Sequence, residues 1–262
     1  MLSPTDIQTG SPTGRGAPAV VCVHGVGVDA RSYAAVVACL HACGHEASAP
    51  ERPTGRPVDQ QLAAVLGPGH RDHGPEMDPP VVWAGVSGGA TLATLALTTH
   101  RDLLAGAVLH EPLVGSLTPG PRRLLADRAR VMVGEDPATA ASRFVRELVG
   151  DATWFDLGEP ERRRVATTGD EILADAATFL ALEPELELLA TISVPVVVTV
   201  GERSSAVRHD AAERVAATLG WSLQVVPGAG HLAQVDAPDA FAAVVDSLFA
   251  GFRSTPTRDT TR

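Results

Sequence analysis

Residues 80–97 read as a strand, a tight turn and a helix written without a spacer, and no other feature constrains the chain as much. Pro80-Val81-Val82-Trp83-Ala84 is an apolar run suited to a buried strand, and Ala90-Thr91-Leu92-Ala93-Thr94-Leu95-Ala96-Leu97 suits a closely packed helix. Between them Gly85-Val86-Ser87-Gly88-Gly89 reads G-x-S-x-G. A buried strand that passes straight into a helix belongs to an α/β arrangement with a mostly parallel sheet. On such a turn the serine hydroxyl stands out from the sheet and small neighbours relieve the crowding. The helix N-terminus also aims N–H groups at any oxyanion formed there. An ordinary Gly-rich turn carries the same residues, so the motif needs partners elsewhere in the chain.

Two segments stand where such partners are needed. Ala19-Val20-Val21-Cys22-Val23-His24-Gly25-Val26-Gly27 is a buried strand ending in H-G-x-G, a loop that can turn a backbone N–H toward the serine's substrate. Leu223-Gln224-Val225-Val226-Pro227-Gly228-Ala229-Gly230-His231 is a strand running into a Gly-rich loop that ends in histidine. A loop histidine there can reach across the C-terminal edge of the sheet as a general base.

With these three elements in this order, the chain resembles the α/β-hydrolases over nearly its whole length, from His24 to about Phe249. The resemblance implies Ser87 as nucleophile, His231 as base, and the N–H groups of Val26 and Gly88 as the oxyanion hole. Many relatives place the third triad member, an aspartate, in a G-x-x-D turn after the strand Val194–Val200. Here that turn reads Gly201-Glu202-Arg203-Ser204-Ser205, with Ser204 where the acid is expected. Glu202 falls too early, and Asp210 falls on the next helix. The other location is the end of Ala105-Gly106-Ala107-Val108-Leu109-His110-Glu111-Pro112, where Glu111 can reach the histidine from the neighbouring strand. Glu111 is therefore read as the acid that holds the tautomer and stabilises the imidazolium. The acid position, with Leu109-His110-Glu111-Pro112-Leu113, Thr199-Val200-Gly201 and Pro227-Gly228-Ala229-Gly230-His231, is similar to the zearalenone lactonases, which open resorcylic macrolactones. The chain departs from them by one extra residue in the histidine loop and by His24-Gly25. Ser87 argues against haloalkane-dehalogenase and epoxide-hydrolase chemistry, which use a carboxylate nucleophile.

The chain of 262 residues suits one α/β core with an insertion. It contains no lysine, and its formal net charge is −10, so nucleic acid is not an expected partner. Cys22, Cys39 and Cys43 do not form a disulfide framework, which fits a reduced cytoplasmic protein. His41, Cys43 and His45 diverge across a helix end, and His70 and His73 sit in a Gly/Pro-rich loop, so neither group is read as a metal site. Residues 1–18 lack the charged and apolar regions of a signal peptide, and no apolar run spans a membrane.

The expected organisation is a flexible segment at 1–18, an α/β-hydrolase core at 19–113 and 189–251, a helical cap at 114–188, and a flexible tail at 252–262. Strands are expected near 19–24, 45–49, 80–86, 105–111, 194–200 and 222–227. Core helices are expected near 30–43, 57–67, 88–100, 205–219 and 238–251. The cap reads as helices at 121–133, 137–149 and 160–182, with Pro121, Pro137 and Pro160 in first turns. The cap is expected to wall the substrate pocket. Gly25, Met132, Trp154, Phe155 and Leu157 are the candidate lining residues, although cap-to-core packing would explain each of the four large ones. Arg162-Arg163-Arg164 reads as a solvated helix face. The reading is a cofactor-free serine hydrolase of a small-molecule ester or lactone, a monomer or homodimer. An acyltransferase, perhydrolase or lyase on the same fold, or a non-catalytic ligand receptor, remains open.

Overall fold

The computed structural model describes residues 18–67 and 80–253, with side chains to residue 250. Residues 1–17, 68–79 and 254–262 lie outside the described residues, and with them His70, His73 and nearly all of both terminal segments.

Six strands form one parallel sheet: β1 (Val20–Val23), β2 (Ala47–Ser48), β3 (Val81–Val86), β4 (Leu104–His110), β5 (Val196–Gly201) and β6 (Ser222–Val226). Their order is β2-β1-β3-β4-β5-β6, and every pairing is parallel. The chain moves outward from β1 to β2, then crosses back to β3 and continues the other way. The order therefore reverses between β1 and β3, and the crevice outside their C-terminal ends is where open α/β sheets bind ligands.

Strand periodicity divides the core into two layers. Val21, Val23, Trp83, Leu109, Val198 and Val200 face α2 (Val58–Leu66), α3 (Gly88–Thr99) and α9 (Ala206–Leu219). Val20, Cys22, Val82, Ala84, Val86, Val108 and Val197 face α1 (Ala34–Ala42) and α11 (Pro238–Arg253). Alternate residues of one strand thus serve opposite layers, which is why these strands are apolar without interruption.

Between β4 and β5 the chain forms only helices: α4 (Pro119–Val133), α5 (Pro137–Asp156), α6 (Glu159–Ala166), α7 (Gly169–Ala181) and α8 (Leu186–Ala190). The expected single helix at 160–182 is two, α6 and α7. The break falls at Thr167-Thr168, and Gly169 packs so closely that a Cβ there would stand 2.4 Å from the Pro137 carbonyl oxygen. Helix α5 runs past the expected 149, but Gly150 is non-helical (φ 80°, ψ 161°) and kinks it. After β6, the short α10 (Ala233–Asp236) carries the chain into α11, which reaches 253 rather than 251. None of the described helices is long and apolar enough to cross a membrane.

Candidate active site

Ser87 sits at the junction of β3 and α3 with φ 54° and ψ −116°. Such a conformation is unfavourable for a side chain with a Cβ and marks a strained turn. The turn is possible because its neighbours are glycines. A Cβ on Gly89 would stand 2.0 Å from the Val23 carbonyl oxygen, so no other residue lets α3 approach β1 this closely. The Ser87 N–H donates to the His110 carbonyl (2.8 Å), and the Thr91 hydroxyl donates to the Ser87 carbonyl (3.0 Å). The elbow is thereby fastened to the end of β4 and to its own helix.

Among the described residues only one other non-glycine has positive φ, and it is Glu111, at 50°. It follows β4, its N–H donates to the Thr199 carbonyl (3.0 Å), and its side chain is buried. The two strained residues converge on one histidine. His231 Nε2 lies 3.1 Å from Ser87 Oγ, and His231 Nδ1 lies 2.6 Å from Glu111 Oε2. A carboxylate can only accept, so Nδ1 carries the proton and donates to Glu111. Nε2 of the neutral ring is then free to accept from the Ser87 hydroxyl. The Gly230 N–H donates to Asp236 Oδ2 (2.7 Å), which holds the histidine loop. The loop lies so close to the end of β5 that a Cβ on Gly201 would meet the Gly230 carbonyl oxygen at 2.5 Å.

Glu111 is held on every side. Oε1 accepts from the Gly201 N–H (3.2 Å) and from the Ser204 hydroxyl in a short hydrogen bond. Oε2 also meets Arg208 Nη1 of α9 at 3.0 Å. Burial alone would favour the neutral carboxyl. The His231 hydrogen bond and the charges of His110, His231 and Arg208 overcome this and hold Glu111 well below the usual carboxylate range. Burial and the Arg208 charge push His231 down to about 4, partly offset by Glu111. At neutral pH the site thus holds a carboxylate and a neutral imidazole. His110, buried beside them, contacts Thr199 Oγ1 through Nδ1 and the Gly230 carbonyl through Nε2, both at 3.0 Å.

Val26 and Gly88 line the pocket over Ser87, and neither backbone N–H has a non-helical partner among the described residues. Gly25 backs onto the elbow, where a Cβ would stand 3.0 Å from Ser87 Cβ. Its loop is anchored by Arg52, which donates to the carbonyls of His24 (3.3 Å) and Gly25 (3.0 Å). Arg52 is in turn paired with Asp175 of α7 at 2.7 Å, both side chains fully buried. The rest of the pocket wall is Leu113, Pro121, Leu125, Arg128, Phe144, Leu148, Phe179 and Arg208. It encloses about 30 Å³, room for little more than water or a very small group.

Most of the candidate lining residues fall elsewhere. Met132 is buried against an outer depression between α4 and α5. Leu157 lines a separate cavity of about 290 Å³ beyond the 27–32 loop, and Trp154 packs in the core. Phe155 is 63% exposed, against Arg146. Helix α5 is kinked at Gly150, and Phe144 and Leu148, both before the kink, line the pocket over Ser87 instead. Arg163 and Arg164 pair with Glu159, Glu161 and Asp29, while Arg162 also donates to the Leu157 carbonyl. Glu202 accepts from the Gly228 N–H, away from His231, and Asp210 lies on α9. Among the described residues no group of three His, Cys, Asp or Glu could hold a metal ion. Arg52, Arg128 and Arg208 were not legible as site residues, since each is a lone arginine outside any motif.

The sequence model of the alpha/beta hydrolase family matches residues 20–244. The chain belongs to this family. A thermophilic esterase from Thermogutta terrifontis is 22% identical with a TM-score of 0.66, covering 91% of each chain. The enol-lactonase from Burkholderia xenovorans LB400 is 19% identical with a TM-score of 0.67, covering 92% of this chain and 94% of its own. The carboxylesterase CesB from Bacillus subtilis is 18% identical with a TM-score of 0.59, covering 91% and 85%. At these identities the likeness is one of fold. A sequence comparison with curated proteins gives no match.

Proposed function

We propose that this protein hydrolyses a small carboxylic ester or lactone through a Ser87–His231–Glu111 triad and an acyl-enzyme. The observation that carries the reading is the continuous contact from Ser87 Oγ through His231 to Glu111, built on the two strained non-glycine residues. Strain of about 1–3 kcal/mol at each such residue persists only where the surrounding structure holds it, and it clusters at functional sites. The esterase and lactonase neighbours agree with this chemistry.

In the mechanism, His231 Nε2 takes the Ser87 proton as Oγ attacks the carbonyl carbon. The carbonyl π electrons move onto oxygen, and the Val26 and Gly88 N–H groups receive the oxyanion. As the tetrahedral species collapses, the C–O bond to the alcohol breaks and His231 returns the proton to the departing oxygen. Water, deprotonated by the same nitrogen, repeats the attack and releases the acid. Glu111 holds the ring in the tautomer this requires and stabilises its charged form. The helices between β4 and β5 act as a cap that excludes bulk water.

The Glu111 position also supports testing resorcylic macrolactones such as zearalenone, although the cavity of about 30 Å³ favours smaller acyl groups unless the cap opens. Short aryl esters, simple lactones and zearalenone are to be incubated with wild type and Ser87→Ala, and the products followed by mass spectrometry. Hydrolysis by wild type with at least a 10³-fold loss in the variant is expected, in line with removing a triad nucleophile. Acyl transfer, peracid or elimination products would replace hydrolysis by another reaction of the same triad. Binding without turnover would make the protein a receptor.

A further inference from the structure

The pocket over Ser87 is apolar apart from the triad and two guanidiniums, those of Arg128 on α4 and Arg208 on α9. Arg208 is largely buried, its side chain 12% exposed, and its one partner among the described residues is Glu111, reached through Nη1 at 3.0 Å. A guanidinium has five N–H donors, so most of those on Arg208 are open to whatever enters the pocket. Arg128 stands in the wall shared by this cavity and the depression between α4 and α5, which encloses about 190 Å³. Its partner there is Glu147, with Nε to Oε2 at 3.2 Å and the two side chains 30% and 45% exposed. An ion pair that exposed is worth only about 0–1 kcal/mol, so exchanging Glu147 for another anion costs little.

Each guanidinium has one carboxylate partner, Glu111 for Arg208 and Glu147 for Arg128, and of the two only Glu111 lines the pocket over Ser87. Apart from its burial, Arg208 is pulled up by Glu111 and down by the nearby positive charge of Arg128, a repulsion that an anion between them would relieve.

Resting on the hydrolase reading, we propose that the substrate carries a carboxylate or similarly compact anion that lodges between Arg128 and Arg208, where the pocket over Ser87 adjoins the depression of about 190 Å³ that Arg128 also lines, while its ester or lactone carbonyl lies on Ser87. A planar guanidinium presents paired donors that match a carboxylate, and desolvation in a small pocket strengthens the contact. The anion supplies affinity and fixes which end of the substrate points toward Glu111.

Monoethyl succinate and ethyl levulinate test this directly. They have nearly the same shape, and only the first is an anion. Wild type should favour monoethyl succinate in kcat/KM by at least about tenfold, and Arg128→Gln, a substitution at a half-exposed position, should cut that preference about tenfold through KM. Equal use of the two esters by wild type, or a variant that lowers both equally, would overturn the anion site while leaving the hydrolase reading intact. Calorimetry on Ser87→Ala provides the second readout. Tighter binding of monoethyl succinate than of ethyl levulinate, lost on adding Arg128→Gln, upholds the anion site even where neither ester is turned over. In that case it is the hydrolase reading that falls. No selective binding there would overturn the anion site.

Discussion

Replacing Glu111 by glutamine tests the assignment of the acid, because no orientation of the amide satisfies the contacts around it. The carboxylate accepts four hydrogen bonds or ion pairs: Gly201 N–H and Ser204 on Oε1, His231 and Arg208 on Oε2. If the amide NH₂ faces His231, it meets Arg208 donor to donor and offers His231 Nδ1 a donor in place of an acceptor. The ring must then carry its proton on Nε2, the atom that should accept from Ser87. If the NH₂ faces Gly201 instead, two donors oppose each other in a buried place, at about 1–3 kcal/mol. The remaining neutral oxygen also no longer balances Arg208 or the imidazolium formed during attack. Buried charge-assisted hydrogen bonds contribute about 1.5–3 kcal/mol each, and in serine proteases with a Ser-His-Asp triad an acid-to-amide change lowers kcat by about 10⁴. We therefore expect Glu111→Gln to lose about 10³–10⁴ in kcat on an aryl ester, with circular dichroism confirming the fold. Ser204→Ala leaves Gly201, His231 and Arg208 in place and should lose less than about tenfold. A Glu111→Gln enzyme with a tenth or more of wild-type turnover, or a Ser204→Ala enzyme equally crippled, would refute the reasoning.

Two further outcomes follow from the buried charges. Because His231 is pushed down to about 4 by burial and Arg208, the acid limb of kcat/KM should lie near pH 4 in wild type, and Arg208→Gln should move it up toward the ordinary histidine value of 6.5. A wild-type limb already near 6.5 would contradict this. The same shift has a stability sign: the unfolded chain binds a proton on this histidine between the two values when the folded chain does not. Its contribution to stability is therefore complete above 6.5 and lost as pH falls toward 4. The Arg52–Asp175 pair gives the second outcome. Arg52→Met alone leaves Asp175 charged and buried and should lower stability by about 3–5 kcal/mol in urea titration, whereas Arg52→Met with Asp175→Leu should recover much of it. Additive losses in the double variant would show that the two side chains do not act as a pair.

The sheet and its flanking helices were legible because uninterrupted apolar strands alternate with helical segments, and parallel strands buried on both faces leave that signature. Ser87 and His231 were legible because each ends a strand in a loop with its own glycine pattern. The pocket wall was not. Phe144 and Leu148 differ from Trp154 and Phe155 only in lying before rather than after Gly150, and a single glycine in a helical stretch does not announce which way the chain turns. The break between α6 and α7 was hidden for the same reason, since the close contact of Gly169 with Pro137 involves residues far apart in sequence. Arg128 and Arg208 were hidden because α4 and α9 carry several charged residues and a pocket-facing arginine reads like a solvated one.

The acid raises a different question, because the sequence offered two turns for it and the fold shows why both are serviceable. Strands β4 and β5 are parallel neighbours with His110 opposite Thr199, so the residue after His110 and the turn after Gly201 reach the same volume beside His231. An acid can approach the imidazole from either strand. Here Glu111 fills the space from β4, and Ser204, standing where the aspartate of many relatives is expected, becomes a donor to Glu111 Oε1. The substitution at one turn is chemically complementary to the acid at the other: a second carboxylate at 204 would face Glu111 as a like charge, whereas a hydroxyl gives it a hydrogen bond. Arg208, in the first turn of α9, completes the arrangement by adding a positive charge to a carboxylate that no longer has the β5 turn to itself. Moving the acid alone, as in Glu111→Gln with Ser204→Asp, should therefore restore little activity: Arg208 could pair with the new carboxylate, but the buried glutamine would still stand between it and His231.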